Sequence, residues 1–142
     1  MIVDNTLVFS NSQAVTADAG STNVVDIGAA GTAFGHSAPV RRDIGIGTEI
    51  PLWISVTEAF NNLTSMTVSL QTDDNAGFST PKEVASRTYL LAELTLGARL
   101  KFPSELPEGT DEEFVRLYWD VTGTAPTTGK IFAAVVAGAQ SN

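Results

Sequence analysis

Strict alternation of apolar and polar side chains is the feature that most limits what this chain can fold into. The pattern runs through residues 49–58, 63–72 and 113–121. A repeat of two places one row of side chains on a core and the other row toward solvent, so each stretch predicts a β-strand. The apolar rows are Leu52, Ile54 and Val56; Met66, Val68 and Leu70; and Val115, Leu117, Trp119 and Val121.

The order of these strands predicts the fold class. The first two are separated by the polar break Asn61-Asn62, and we expect them to pair as an antiparallel hairpin with one buried face. Turn-forming residues separate further apolar segments, which brings the total to about eight strands, as in a β-sandwich or jelly roll. These further segments are residues 1–9, 24–27, 87–94, 99–102 and 130–137.

The length of 142 residues fits one domain. The sequence therefore predicts a single all-β domain over residues 1–142, an antiparallel β-sandwich of jelly-roll type. Residues 1–12 are predicted to form either its first strand or an extended N-terminal arm.

Composition and charge narrow the classes of partner. The formal net charge is −8, and the eight Lys and Arg residues form no basic patch. Because nucleic-acid affinity comes largely from cations that neutralise phosphates, we expect no nucleic-acid partner.

The longest apolar run, residues 131–139, is well short of the ~20 residues of a membrane helix. The first ten residues carry no basic cluster typical of a secretory signal, and no cysteine is present for disulfide or thiolate chemistry.

The residue types that carry catalysis are sparse. His36 is the single histidine, which argues against a multi-histidine metal site and against a cupin-type enzyme. The run Asp73-Asp74-Asn75 lacks the spacing of a calcium loop and favours a turn held by local backbone bonds. Gly45-Ile46-Gly47 precedes a strand, whereas a dinucleotide-binding fingerprint follows one. We therefore expect no enzyme, no metal and no cofactor.

Two features are candidates for contact with a partner. The loop over residues 28–47 contains five glycines, and a loop of this length in a small domain is usually functional or mobile. Trp53, Phe114 and Tyr118 lie on the row opposite the predicted core. They are either buried at the sheet edges or exposed for a partner.

Two segments carry a family resemblance: RDIGIGTEIPLWISV, and LTSMTVSLQTDDNAGFSTP after it. Together with the opening MIVDNTLVFSNSQAVTADAGSTNVVDIG and the closing FVRLYWDVTG, they resemble the capsid cement (decoration) proteins of short-tailed bacteriophages. The resemblance implies a jelly roll that associates with itself as a homotrimer. It also implies that the protein is made in the host cytoplasm and binds the outer surface of the phage head. There it would stabilise contacts between subunits of the major capsid protein.

The residues expected to contact the capsid or another copy are Ile2, Leu7, Phe9, Arg41, Arg42, Asp43 and Trp53. A second interpretation stays open at this point. A jelly roll of a phage surface or fibre protein could bind carbohydrate, with Trp53 or Tyr118 as the platform on which a sugar stacks.

Overall fold

The structure is a computed structural model that describes residues 2–40 and 42–139, and it consists almost entirely of β-strands and loops. A one-turn 3₁₀ helix, Leu91–Glu93, follows the sixth strand. The strands are β1 (Val3–Ala14), β2 (Ala19–Gly20), β3 (Val25–Asp26), β4 (Leu52–Glu58), β5 (Leu63–Asp73), β6 (Lys82–Leu90), β7 (Phe114–Gly123) and β8 (Lys130–Val136).

The strands form two antiparallel sheets that face each other. The three-stranded sheet has the order β1-β8-β4. The five-stranded sheet has the order β2-β7-β5-β6, and β3 pairs with another part of β7. The inward rows of both sheets meet in one core, as in a β-sandwich. The predicted all-β sandwich of about eight strands is confirmed for the described residues.

The predicted hairpin between β4 and β5 is wrong. β4 pairs with β8 in the three-stranded sheet, whereas β5 pairs with β6 and β7 in the other sheet. The link between them crosses from one sheet to the other, with Asn62 in the left-handed region at φ 64°. The side-chain amide oxygen of Asn61 accepts backbone N–H bonds from Thr127 and Thr128. The alternation correctly predicted most of the buried side chains, although Ser69 of the predicted solvent row is buried and Val121 of the core row is only partly buried. It carries no information about which strand is the hydrogen-bonded neighbour.

Two other predicted strands differ in the structure. The segment predicted at 87–94 is the end of β6, which begins at Lys82, followed by the 3₁₀ turn. The segment predicted at 99–102 is not a regular strand. It runs irregularly along the edge of β4, and the Leu100 N–H donates to the carbonyl of Ile54 in that strand. The Tyr89 hydroxyl, whose pKa is raised by burial, holds this segment by bonding both the N–H and the carbonyl of Phe102.

The first dozen residues, as far as they are described, form a strand rather than a detached arm. β1 pairs with β8 from Val3↔Val136 to Ala14↔Lys130, with several register shifts. Residues 4–7 bulge out between two of the paired positions, and the Asp4 carboxylate accepts bonds from the N–H and hydroxyl of Thr6. Those bonds lower the pKa of Asp4. The N-terminal segment is thus an integral edge of the three-stranded sheet.

The side chain of Gln13 joins the two sheets at one edge. It belongs to β1, but its amide oxygen accepts bonds from Thr22 N–H at 2.9 Å and from the indole N–H of Trp119 at 3.4 Å. Its amide nitrogen donates to the Gly20 carbonyl at 2.9 Å. Trp119, on β7, is completely buried. One side chain of the three-stranded sheet therefore satisfies polar groups of the five-stranded sheet.

We predict that Gln13→Leu lowers the free energy of unfolding by about 1–3 kcal/mol, because the buried indole N–H of Trp119 loses its acceptor. Denaturant unfolding followed by tryptophan fluorescence measures this change. The matched control is Asn11→Leu at an exposed position of the same strand, where we expect a change within about 0.5 kcal/mol. Equal losses in the two variants would show that the Gln13 amide does not join the sheets.

Candidate functional site

An apolar pocket lies between the two sheets at one end of the sandwich. Nine side chains, all apolar, line a cavity of about 200 Å³ that is partly open to solvent. Leu7, Phe9 and Val135 come from the three-stranded sheet, and Val25 and Val115 come from the five-stranded sheet. Ile27, Ile44, Ile50 and Leu106 come from the loops at this end. The core is therefore open to solvent at the end of the sandwich where the long loop over residues 28–47 leaves the sheets and rejoins them.

The loop is held to the sandwich near its C-terminal end by Arg42 and Asp43. One guanidinium nitrogen of Arg42 donates to the Ile27 carbonyl at 3.0 Å and another to the Glu112 carbonyl at 3.4 Å. The Asp43 carboxylate accepts the N–H of Gly45 at 3.0 Å and the N–H of Gly109 at 2.7 Å. Both side chains therefore bond within the chain, next to the mouth of the pocket. Sequence reasoning selected these charges as partner contacts and missed this anchoring role.

Gly45 shows how closely the loop is docked. A Cβ atom at this position would overlap the backbone carbonyl of Pro107. The neighbouring Ile44 N–H donates to the Thr110 carbonyl at 3.1 Å. A close approach of two backbones therefore requires glycine at this position.

Lys82, the first residue of β6, bonds to the segment around Gly109, whose N–H donates to Asp43. The Lys82 ammonium donates to the Gly109 carbonyl at 3.0 Å and to the Asp111 carboxylate at 2.6 Å. The Asp111 carboxylate raises the pKa of Lys82 above its usual value, and the charges of Glu112 and Asp43 add to the effect. Because the pair is substantially exposed, we assign it an ordering role and little stability.

The outer part of the long loop forms a small hairpin, residues 31–40, which we call the Phe34 hairpin. Thr32 and Pro39 form an antiparallel bridge, and Val40 N–H donates to the Gly31 carbonyl at 2.7 Å. A further bond, from His36 N–H to the Ala33 carbonyl at 3.0 Å, closes the tip. Every residue of the hairpin is exposed, and the ring of Phe34 is fully so.

The outer face of the three-stranded sheet carries a second, smaller apolar cluster, which we call the Trp53 face. Val8, Ala134 and Val136 are its buried members, and Val3, Trp53 and Phe132 pack on them, partly exposed. The guanidinium of Arg99 lies 4.3 Å from the centroid of the Trp53 ring and covers one side of it. Sequence alternation correctly placed Trp53 on the row opposite the core.

The outer face of the five-stranded sheet is polar by comparison. Ser69 donates to the Glu83 carboxylate at 2.8 Å, and the hydroxyls of Thr67 and Thr88 bond each other at 2.8 Å. Arg116 donates to the Gln71 side chain at 2.8 Å, and its guanidinium lies 4.2 Å from the Phe78 ring and 5.3 Å from the Tyr118 ring. Partial burial lowers the pKa of Arg116. The two outer faces of the sandwich therefore differ in chemistry.

The predicted contact residues lie in two separate places. Leu7 and Phe9 line the pocket, close to the anchors Arg42 and Asp43, while Trp53 lies on the outer face of the three-stranded sheet. Phe9 is completely buried, so its side chain belongs to the core and lines the inner part of the pocket. Ile2 is 76% exposed. Arg41 lies outside the described residues.

The candidate acidic motifs have local structural roles. The Asp73 carboxylate accepts N–H bonds from Asn75 at 2.8 Å and Thr80 at 2.9 Å, which is the turn predicted from sequence. Burial opposes ionisation of Asp73, but these bonds outweigh it and keep its pKa below the usual value. Over residues 2–40 and 42–139, no group of three or more acidic, cysteine or histidine side chains is placed to hold a metal ion. In the same part of the chain no helix has the length and hydrophobicity needed to span a membrane.

We predict that Asp43→Ala loosens the base of the long loop, because the amides of Gly109 and Gly45 lose a charged acceptor. Hydrogen exchange measured by mass spectrometry should accelerate about tenfold or more over residues 44–46 and at Gly109. The control is Asp26→Ala, which removes an acceptor only from the nearby amide of Gly28. Unchanged exchange at Gly109 in the Asp43 variant would contradict the anchoring role.

Comparison with known proteins gives one family. The family model of Bbp16 matches residues 9–136, which include the second half of β1 and all the strands after it. No curated protein matches the chain. The resemblance to phage proteins is thereby confirmed at the level of a phage-related family. Because the match covers most of the 142 residues, the chain belongs to the Bbp16 family.

Proposed function

We propose that this protein is a structural capsid cement protein that binds the outer surface of a phage head and stabilises contacts between major capsid protein subunits. The observation that carries the proposal is membership of a phage-related family across nearly the whole sandwich. The resemblance of the segments at 42–56 and 63–81 to cement proteins adds the specific role. We propose a structural role without catalysis, and assembly on the head after synthesis in the host cytoplasm.

The contrast between the two outer faces indicates which side meets the capsid. On the Trp53 face, a tryptophan and a phenylalanine lie partly exposed over small apolar residues. The opposite face also carries an aromatic ring, Tyr118, next to an arginine, but hydroxyl–hydroxyl, hydroxyl–carboxylate and guanidinium–amide hydrogen bonds occupy most of it. Aromatic side chains over an apolar base, beside an arginine, are characteristic of the centre of a protein interface. We therefore assign the capsid contact to the Trp53 face.

Charge and self-association fit this role. A net charge of −8 favours the exterior of a shell, away from packaged DNA whose phosphates repel it. We also propose that copies associate, with a homotrimer as the expected state. Linked copies bind a symmetric lattice more tightly than one copy does, even where each contact is modest.

We predict that heads assembled without this protein release their DNA at a lower temperature than complete heads, because the clamps between capsid subunits are missing. Dye-accessible DNA measured during heating reports the rupture temperature. Adding the purified chain back should restore it, and adding the Trp53→Ala variant should restore less. Heads that rupture at the same temperature with and without the protein would refute the cement role.

We predict that Trp53→Ala weakens binding to heads about thirtyfold or more, since truncating an aromatic at the centre of an interface costs about 2 kcal/mol or more. Co-sedimentation of the variant with heads measures this. The matched control is Tyr118→Ala on the opposite face, where binding should stay within twofold. Each variant is first shown to unfold cooperatively, so that a loss of binding is not a loss of fold.

The reverse pattern, with Tyr118→Ala weakening binding and Trp53→Ala leaving it intact, would move the contact to the five-stranded sheet. A glycan array distinguishes the cement role from the alternative that the protein binds carbohydrate. Specific binding to a sugar that is lost in either aromatic variant, with no binding to heads, would replace the cement role by a carbohydrate-binding one.

A further inference from the structure

We propose that the Phe34 hairpin of one copy inserts its aromatic ring into the apolar pocket of a second copy. The inference rests on the self-association included in the proposed function, and it does not rest on capsid binding. It assigns a binding site for an aromatic side chain to the apolar pocket at the end of the sandwich.

The pocket has the size and chemistry for a single aromatic ring. Its volume is about 200 Å³ and its lining is apolar throughout. An apolar cavity of about 150 Å³ in another protein is known to stay dry and to accept benzene. Water in such a cavity lacks polar partners, so an apolar occupant is favoured over solvent.

The Phe34 ring packs against no other side chain within the part of its own chain that the structure describes. It is fully exposed at the tip of the hairpin, whereas most other large apolar side chains of the described residues pack in one of the two clusters. The hairpin is also ordered internally, through the Thr32–Pro39 bridge and the bond from Val40 to Gly31. A preorganised tip pays less conformational entropy on binding than a flexible loop does.

The geometry of the hairpin favours insertion into another copy over insertion into its own pocket. The hairpin is connected to the rim of the pocket by Ile27 and Ile44, which both line it. At about 3.3 Å per extended residue, the tip can stand up to about 20 Å from that rim. In its own chain the bridge is formed while the Phe34 ring is fully exposed and lies outside the pocket. Insertion into a neighbour keeps the bridge and buries the ring.

Because one chain carries both the ring and the pocket, the contact can repeat by symmetry. Reciprocal insertion gives a two-fold pair, and head-to-tail insertion gives a closed ring such as a trimer. Each copy carries a formal charge of −8, so charge repulsion opposes association and salt screens it. We therefore expect association to strengthen, or at least to persist, as salt is raised.

Sedimentation equilibrium of the purified chain tests the contact. We expect Phe34→Ser and Ile44→Asp each to raise the dissociation constant at least tenfold, the first by removing the ring and the second by placing a charge in the pocket. The matched control is Ile46→Ser, because Ile46 is 58% exposed in the same loop and does not line the pocket. A cooperatively folded Phe34→Ser variant that associates like the wild type would overturn the proposal.

Mixing the two variants provides a second test. The Phe34→Ser chain keeps an intact pocket and the Ile44→Asp chain keeps its ring, so a differently tagged pair should associate with each other better than either does with itself. Failure of the mixed pair to associate better than the single variants contradicts insertion between copies.

A photo-crosslinking amino acid at position 34 locates the ring directly. In a mixture of isotope-labelled and unlabelled copies, we expect crosslinks between copies to peptides that contain Ile44 or Leu106. Crosslinks within one copy, or none, overturn the proposal. A wild-type chain that stays monomeric but decorates heads would remove this inference and leave the cement role standing.

Discussion

The fold depends on packing together two sheets whose strands alternate along the sequence. The three-stranded sheet combines the first, fourth and eighth strands, so its members come from both ends and the middle of the sequence. The facing rows bury each other, and at one edge the Gln13 amide satisfies polar groups of the other sheet, including the buried indole of Trp119. Burial of apolar side chains drives the two sheets together, while the hydrogen bonds of this amide position them relative to each other at one edge.

The opposite arrangement holds at the end where the long loop lies. There an apolar pocket opens between the sheets, and the base of the loop is held by bonds of Arg42, Asp43 and Ile44. The result is a sandwich with one open apolar end and an exposed hairpin in the loop beside it. Both features have an explanation if the end is completed by another molecule, and the same sandwich leaves the Trp53 face free for a different contact.

Local patterns in the sequence predicted the class of fold and most of the buried rows, because alternation is a property of each strand alone. Strand partners were not predicted correctly, as β4 and β5 show. The sequence has a polar break between them, but only the tertiary structure shows that this break crosses between sheets. The same reason explains Phe9 and Asp43. Phe9 was expected to contact the capsid or another copy, and its side chain is completely buried in the core. Asp43 bonds to Gly109, which is 66 residues away, so a local sequence pattern cannot predict this contact.

The two tryptophans of the chain occupy sites of different kinds, which gives the protein two independent optical signals. Trp119 is sealed between the sheets beside Gln13, so its emission reports whether the sandwich is intact. Trp53 lies partly exposed under Arg99 on the outer face, so its emission responds to whatever covers that face. Replacing either one by phenylalanine leaves the other as a single reporter, and docking can then be followed separately from unfolding without any added dye.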